Sequence, residues 1–213
     1  MLATMCAKRL PRSVREPQML DAALTEFARR GFHAASMDDI AARARVSKPM
    51  VYAYLGAKDD LFVACLHREG TRLMQAIVDV VDPGLGADEQ LWRGVRAFFW
   101  YVAANRDGWS VLYRQARGPF SDHLAVMRSQ MVGVVAGMLE RAVVGREGTP
   151  RASDLEPLAF ALVGAGESLA DWLADRPDES PDTVAGRLMN VVWLGAEQLL
   201  DGARWQPPVV ATA

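Results

Sequence analysis

The sequence predicts an all-α protein, and three observations carry that reading. Apolar residues recur three and four positions apart along most of the chain, and clusters of Gly, Pro and Asp cut the pattern into segments of helical length. No run alternates apolar and polar residues as a half-buried strand would. The segments number about nine, three in a small N-terminal head and the rest in a larger helical body. Hydrophobic residues make up 51% of the 213, enough for a sizeable core.

Residues 1 to 14, with Lys8, Arg9, Pro11 and Arg12, show little periodicity and read as a mobile basic arm, either reaching phosphates and an adjacent minor groove or staying a solvated tail. From Arg15 to Arg30, the residues Met19, Leu20, Ala23, Leu24, Phe27 and Ala28 share one face, and Gly31 follows at the C-cap. The stretch Ser36 to Leu55 then parses as two short helices. Ser36 and Asp39 have capping-box spacing, weakened by the shorter Asp, so a helix opens at Met37 and carries Ile40, Ala41 and Ala44. Ser47 caps a second helix with Pro49 in its first turn, followed by Met50, Val51, Tyr52 and Tyr54 up to Gly56. Phe27, Phe32 and Ile40 are the expected core of the three-helix head.

Two short helices joined by a tight turn form the helix-turn-helix unit, whose second helix enters the major groove of DNA. Lys48 sits at the positive end of that helix, where charge and free N–H groups both favour a phosphate oxygen. Tyr52 and Tyr54 can each offer a hydroxyl to a phosphate, and Met50 an apolar contact to a thymine methyl. A plain helical hairpin, whose tyrosines complete a small core, is the structural alternative.

Beyond Gly56, a long helix over Ala57 to Asp82 carries Leu61, Phe62, Cys65, Leu66, Leu73, Ile77 and Val81 in register and ends at Asp82-Pro83-Gly84. Further helices are expected over about Asp88 to Asn105, Gly108 to Arg117, Pro119 to Val144, Ser153 to Ala174 and Pro181 to Asp201. The loop G-R-E-G-T-P breaks the series, and the last dozen residues, with Pro207-Pro208, read as a loose tail.

The net charge of −2 hides an asymmetry: residues 1 to 56 hold nine Lys or Arg against five Asp or Glu, and the remainder fifteen against twenty-one. A basic head on an acidic body is expected where only one end meets phosphate. Cys6 and Cys65 form no disulfide framework or metal-ligand spacing, and His33, His67 and His123 are widely separated, so no metal or cofactor is expected. Neither a glycine-rich phosphate loop nor a nucleophile motif appears, which argues against an enzyme. No signal peptide or stretch of membrane-spanning length is found, and a cytoplasmic location without a membrane partner is expected.

The run F-A-R-R-G-F, then S-M-D-D-I-A-A-R-A, then V-S-K-P-M-V-Y-A-Y-L-G-A-K-D-D-L-F resembles the N-terminal region of the TetR family of transcriptional regulators, with roughly fifty residues matching in order and spacing. The resemblance implies a three-helix reader, a connecting fourth helix, and a divergent helical body that dimerises and binds an effector. By position, Lys48, Pro49, Met50, Tyr52 and Tyr54 match the family's DNA-contacting helix, and Lys58 matches a lysine that meets phosphate. Ser36, Arg45 and Ser47 complete the expected DNA-binding set. Three positions depart from the family pattern. Arg45 replaces the usual turn glycine, so the turn is either strained or altered; Leu55 replaces an aromatic; and Ala57 replaces a serine and cannot cap.

The body is read from its side chains. Phe99, Trp100, Trp109, Tyr113, Met127, Met131 and Trp172 are candidates for an effector pocket between helices, with core packing as the bland alternative. Glu167, in an otherwise apolar helix, either meets a cationic or hydroxylated ligand or faces solvent or a second subunit. Gly166, Ala170, Val184, Leu188, Val191, Val192, Gly195 and Leu199 give the last two helices apolar faces with small residues, as in a two-fold four-helix dimer interface. The sequence thus points to residues 1–56 as arm and DNA reader and 57–213 as effector-binding and dimerisation domain. The expected function is a homodimeric regulator of a double-stranded DNA operator, by default a repressor released by a small, largely apolar effector. The alternative is a helical small-molecule carrier or sensor without DNA binding.

Overall fold

The computed structural model describes residues 11–116, 118–143 and 152–200; the arm's first ten residues, the loop expected after Val144 and the tail lie outside the described residues, and Arg12 to Val14, expected as part of the mobile arm, are instead the helical start of the first helix. Nine α-helices and no strand occur among the described residues. They are α1 (Arg12–Ala34), α2 (Met37–Ala44), α3 (Lys48–Leu55), α4 (Lys58–Val78), α5 (Ala87–Ala104), α6 (Arg106–Trp109), α7 (Ser121–Val143), α8 (Ala152–Ala174) and α9 (Pro181–Leu200). The segment expected as one helix near 108–117 is instead the single turn α6 continued by a π-helical stretch, Ser110–Gln115, and a 3₁₀ turn, Gly118–Phe120, precedes α7.

The chain divides into two compact units, one formed by Met1–Thr71 with Asp107–Leu124, the other by Arg72–Arg106 with Ala125–Ala213. The first therefore holds more than the head: α6 apart from Arg106, its π-helical continuation and the start of α7 belong to it as well.

In the first unit, α1 packs against α2 and α3, burying Met19, Ala23 and Phe27 together with Ile40 of α2, Val51 of α3 and Leu61 and Phe62 of α4, and the Phe27 ring lies 5.0 Å from that of Phe62. Gly31 has φ 75° and ψ 161°, a conformation open to glycine, and breaks α1 where the sequence predicts its end. One further turn sets Phe32, half-buried, edge-on to Phe62 at 5.0 Å and to Phe120 at 4.9 Å. Gln115, at the end of the π-helical stretch, donates its side-chain N–H to the Phe27 carbonyl at 2.8 Å. Trp109 is fully buried and stacks on Tyr113 at 4.7 Å.

In the second unit, α5 packs against α8 and α9. Leu91, Phe98, Phe99 and Val102 of α5, Leu162 and Ala170 of α8 and Val184 and Leu188 of α9 are all buried in this unit. Arg106 closes the C-terminal end of α8 by donating to the carbonyls of Leu173 and Ala174.

Candidate nucleic-acid interface

Local chemistry sets the helix-turn-helix one residue at a time. Ser36 is the N-cap of α2, its hydroxyl oxygen accepting from the Asp39 N–H at 3.1 Å. The reciprocal half of the box does not form: the Asp39 carboxylate accepts from the Ser36 hydroxyl at 2.8 Å and pairs with Arg30 at 3.4 Å, because Asp is one methylene too short to reach the N-cap N–H. Arg45 takes the left-handed conformation, φ 54° and ψ 44°. With Arg45 N–H bonding the Ala42 carbonyl and Val46 N–H the Ala41 carbonyl, the turn is a Schellman motif with arginine where glycine is usual. Of the two outcomes open to that turn, strain in the left-handed region is the one adopted.

Ser47 stands at the N-cap of α3, yet its side chain makes no capping bond; Pro49 in the first turn sets the backbone instead. Val51 is the buried anchor of α3, while Ser47, Pro49 and Tyr52 are exposed and Lys48, Met50 and Tyr54 half-exposed. The period of 3.6 thus turns Val51 into the head and Pro49 and Tyr52 outward, with Lys48, Met50 and Tyr54 between the two sides.

Three of these side chains already have protein partners. Lys48 donates to Asp38 at 2.9 Å, and that hydrogen bond and charge hold the ammonium above its ordinary pKa. The Arg12 guanidinium lies 5.3 Å over the Tyr54 ring and donates to the Tyr54 carbonyl at 3.3 Å. Lys58 donates to the carbonyls of His33 and Ala35 at 3.1 and 3.2 Å and sits 4.7 Å from the Phe32 ring centre, so in the free protein it caps the end of α1. Ala57 cannot cap α4 with its own side chain; the Asp60 carboxylate accepts from its N–H at 2.9 Å and takes over that function. Gly56, at φ 73°, has to be glycine, since a Cβ would stand 2.5 Å from the same Asp60 oxygen.

Two acidic residues matter here that sequence reasoning passed over. Glu26 is buried on α1 and gathers Arg43 at 2.7 Å, Arg30 at 3.2 Å and Arg29 at 3.6 Å, joining α1 to α2. An acid between Ala23 and Phe27 on an apolar face, with arginines three and four residues later, was the available signal. Asp38 is the other; its tie to Lys48 needs the turn geometry and is not visible as a sequence spacing.

The second unit holds a cavity of about 70 Å³ whose lining residues are all apolar. Leu91, Gly94 and Phe98 of α5 face Met131, Val135 and Met138 of α7, with Leu162, Val163 and Gly166 of α8, Leu188 of α9 and Met74 and Ile77 of α4 completing the walls. Among the predicted pocket residues, only Met131 lines it. Phe99 is one position past the lining stripe of α5 and is buried elsewhere, as is Met127 one turn before Met131. Trp109 and Tyr113 belong to the first unit. Trp100 is 47% exposed and donates its indole N–H to Asp182 at 2.9 Å, and Trp172 lies under the Arg176 guanidinium at 4.3 Å. Hydrogen bonds from Arg96 and Trp100 hold the Asp182 carboxyl below its ordinary pKa. Glu167 is buried and paired bidentately with Arg128.

The predicted dimer residues also divide. Gly166, Ala170, Val184 and Leu188 are buried within the single chain, Val192 is half-buried, and Val191 and Gly195 face outward. The Leu199 side chain lies outside the described residues. The outward apolar face consists of Phe160 and Gly164 on α8 and Val191, Leu194 and Gly195 on α9.

With this geometry the family comparison is decisive. Residues 19–65 match the family described as bacterial regulatory proteins, tetR family, and residues 87–195 match the tetracyclin repressor-like C-terminal domain. The chain belongs to the TetR family. It is 30% identical to the HTH-type transcriptional activator FasR of Mycolicibacterium smegmatis, over 84% of this chain and 81% of that protein. It is 42% identical to the HTH-type transcriptional repressor SCO4008 of Streptomyces coelicolor, over 74% of this chain and 88% of that one. The crystal structure of a TetR-like transcriptional regulator from Rhodococcus sp. RHA1 superposes with a TM-score of 0.77 at 44% identity, covering 89% of this chain and 99% of the other. This TetR-family protein is therefore a DNA-binding transcriptional regulator with a helix-turn-helix reader, and not an enzyme. No described helix of the regulator is long and apolar enough to cross a membrane.

Proposed function

We propose that the regulator is a homodimeric repressor that binds a palindromic operator and leaves it when a small, largely apolar effector enters the cavity of the second unit. The observation that carries this reading is the cavity itself, with apolar walls from five helices and no charged side chain among them. Its volume is about half the ~150 Å³ of an apolar cavity that admits benzene, so a larger effector has to part the helices around it. One of the parted helices is α4, which supplies Met74 and Ile77 to the cavity and begins at Lys58, directly after the reader. That continuity gives the effector a handle on the reader: residues 1–56 read DNA, and residues 57–213 bind effector and dimerise.

A palindrome requires the two reader helices about one helical turn apart, roughly 34–36 Å. An effector that prefers a conformation with another spacing lowers occupancy by its differential affinity, tenfold for each ~1.4 kcal/mol. The outward face of α8 and α9 supports the dimer, and an operator in the chromosome is reached from the cytoplasm. Repression is the family's default mode; of the two relatives the repressor SCO4008 is the more identical and the activator FasR aligns over more of this chain, so deletion of the gene decides the sign. FadR of Bacillus subtilis, 18% identical, was solved in complex with stearoyl-CoA; likeness at that level carries the fold, and the apolar effector class rests on this chain's own cavity.

The test is a melting-temperature screen of apolar compounds, followed by fluorescence anisotropy with DNA from around the regulator's own gene. A stabilising compound is expected to weaken DNA binding, and deletion of the gene to raise transcription from that DNA. A compound that stabilises the protein and leaves DNA affinity unchanged contradicts effector release, and lower transcription on deletion contradicts repression.

A further inference from the structure

Asp38 is the second residue of α2, and its carboxylate receives the Lys48 ammonium at 2.9 Å. Its neighbour Asp39 is engaged by Ser36 and Arg30, whereas the Asp38 side chain is 71% exposed with Lys48 against it. The α2 dipole favours an acid in this turn, but Asp39 already serves it. The dipole does not explain why an acid projects beside the only lysine of the reader helix, on a surface that has to approach a polyanion. A carboxylate facing phosphates is repelled. A carboxylate facing base edges has a partner, because cytosine presents its N4 amine in the major groove. The Lys48 ammonium donates a hydrogen bond to Asp38 through one of its three N–H groups and keeps the other two for guanine or phosphate oxygens, so the carboxylate approaches the groove with its charge compensated.

We propose that Asp38 is a base-reading residue, held by Lys48 so that its carboxylate accepts a hydrogen bond from the N4 amine of a cytosine in each operator half-site. A G·C pair offers two acceptors on guanine and one donor on cytosine, and a lysine beside an aspartate offers the complement. The first turn of α2 then adds specificity to that of α3. This inference rests on α3 being the reader helix.

The test is selection from a randomised operator library with the full-length protein, comparing wild type with Asp38→Ala, Asp38→Asn and Lys48→Ala, each checked for an unchanged melting temperature. Wild type selects a cytosine at one fixed position per half-site. Asp38→Ala loses that preference by about 5- to 150-fold and leaves the other positions unchanged. Asp38→Asn moves the preference toward adenine, whose N6 and N7 suit a carboxamide. An unaltered base preference in Asp38→Ala, or a uniform gain in affinity for all sequences, overturns the inference and leaves Asp38 as a repulsive surface charge. If Lys48→Ala keeps wild-type affinity and salt dependence, the reader-helix assignment itself fails, and the inference with it.

Discussion

Arg128 grips both oxygens of the buried Glu167 carboxylate, Nε to Oε1 at 3.0 Å and Nη2 to Oε2 at 2.5 Å, and so ties α7 to α8. Removing one partner of a buried pair costs about 3–5 kcal/mol, but the Arg128 side chain is 43% exposed and solvent takes over part of its role. Arg128→Ala is therefore expected to lower unfolding free energy by about 2–3 kcal/mol. Adding Glu167→Gln to that variant should recover part of the loss, because the uncompensated charge is gone. Urea unfolding of the two single variants and the double variant reads the coupling directly.

Arg45 tests how a local departure from the family pattern is tolerated. A left-handed non-glycine residue costs roughly 1–2 kcal/mol, and glycine removes that strain while adding entropy to the unfolded chain. Arg45→Gly should thus stabilise the protein by up to about 1 kcal/mol. A fall in the urea midpoint would show that the arginine makes a compensating contact. The turn was legible in the sequence because its position is fixed by the helices on either side; the conformation was not, since the choice between strain and altered geometry depends on whether Ala41 and Ala42 can still receive the two closing hydrogen bonds.

The pocket was legible as a region and not as a residue set. Aromatic residues dominate Trp92 to Tyr113, which drew the expectation to Phe99, Trp100 and Trp109, yet the void follows the register of α5 against α7, α8 and α9. That register selects Leu91, Gly94 and Phe98, and aliphatic and methionine side chains supply most of the opposing walls. Gly94 gives a clean test. A Cβ there would meet Ile77 and Val81 methyls at 3.7 and 3.8 Å, ordinary contact distances. Gly94→Ala should raise stability by about 0.5–1 kcal/mol through helix propensity. It should also shrink the melting shift produced by any compound that occupies the cavity; an undiminished shift would place that compound elsewhere.

Cys65 lies fully buried on α4, and burial pushes its thiol up to about 12 from an ordinary 9.0. The folded state holds the thiol proton more tightly than the unfolded chain does, so this contribution to stability is complete below pH 9.0 and is lost as pH rises toward about 12. Urea midpoints measured from pH 8 to 11 should fall more steeply for wild type than for Cys65→Ala, a pair chosen so that lysine titration cancels. At about pH 8 the native thiol should resist alkylation, since the thiolate is the reactive form; rapid modification of folded protein would contradict the burial.

The outward face of α8 and α9 carries the last expectation. Val191 is 79% exposed, Leu194 61% and Phe160 49%, beside the backbone-level surface of Gly164 and Gly195. Three large apolar side chains around glycines let a second helix pair approach closely, and a two-fold axis brings the same patch onto itself. A single charge therefore enters such an interface twice. Leu194→Glu sets two like charges into the same interface, while in the monomer the change lies at an exposed position and should move stability by no more than about 0.5 kcal/mol. Sedimentation should accordingly show a dimer for wild type and a monomer for Leu194→Glu at micromolar concentration. DNA affinity should drop with it, since a lone reader helix engages only one half-site. A Leu194→Glu variant that remains dimeric would move the interface off this face.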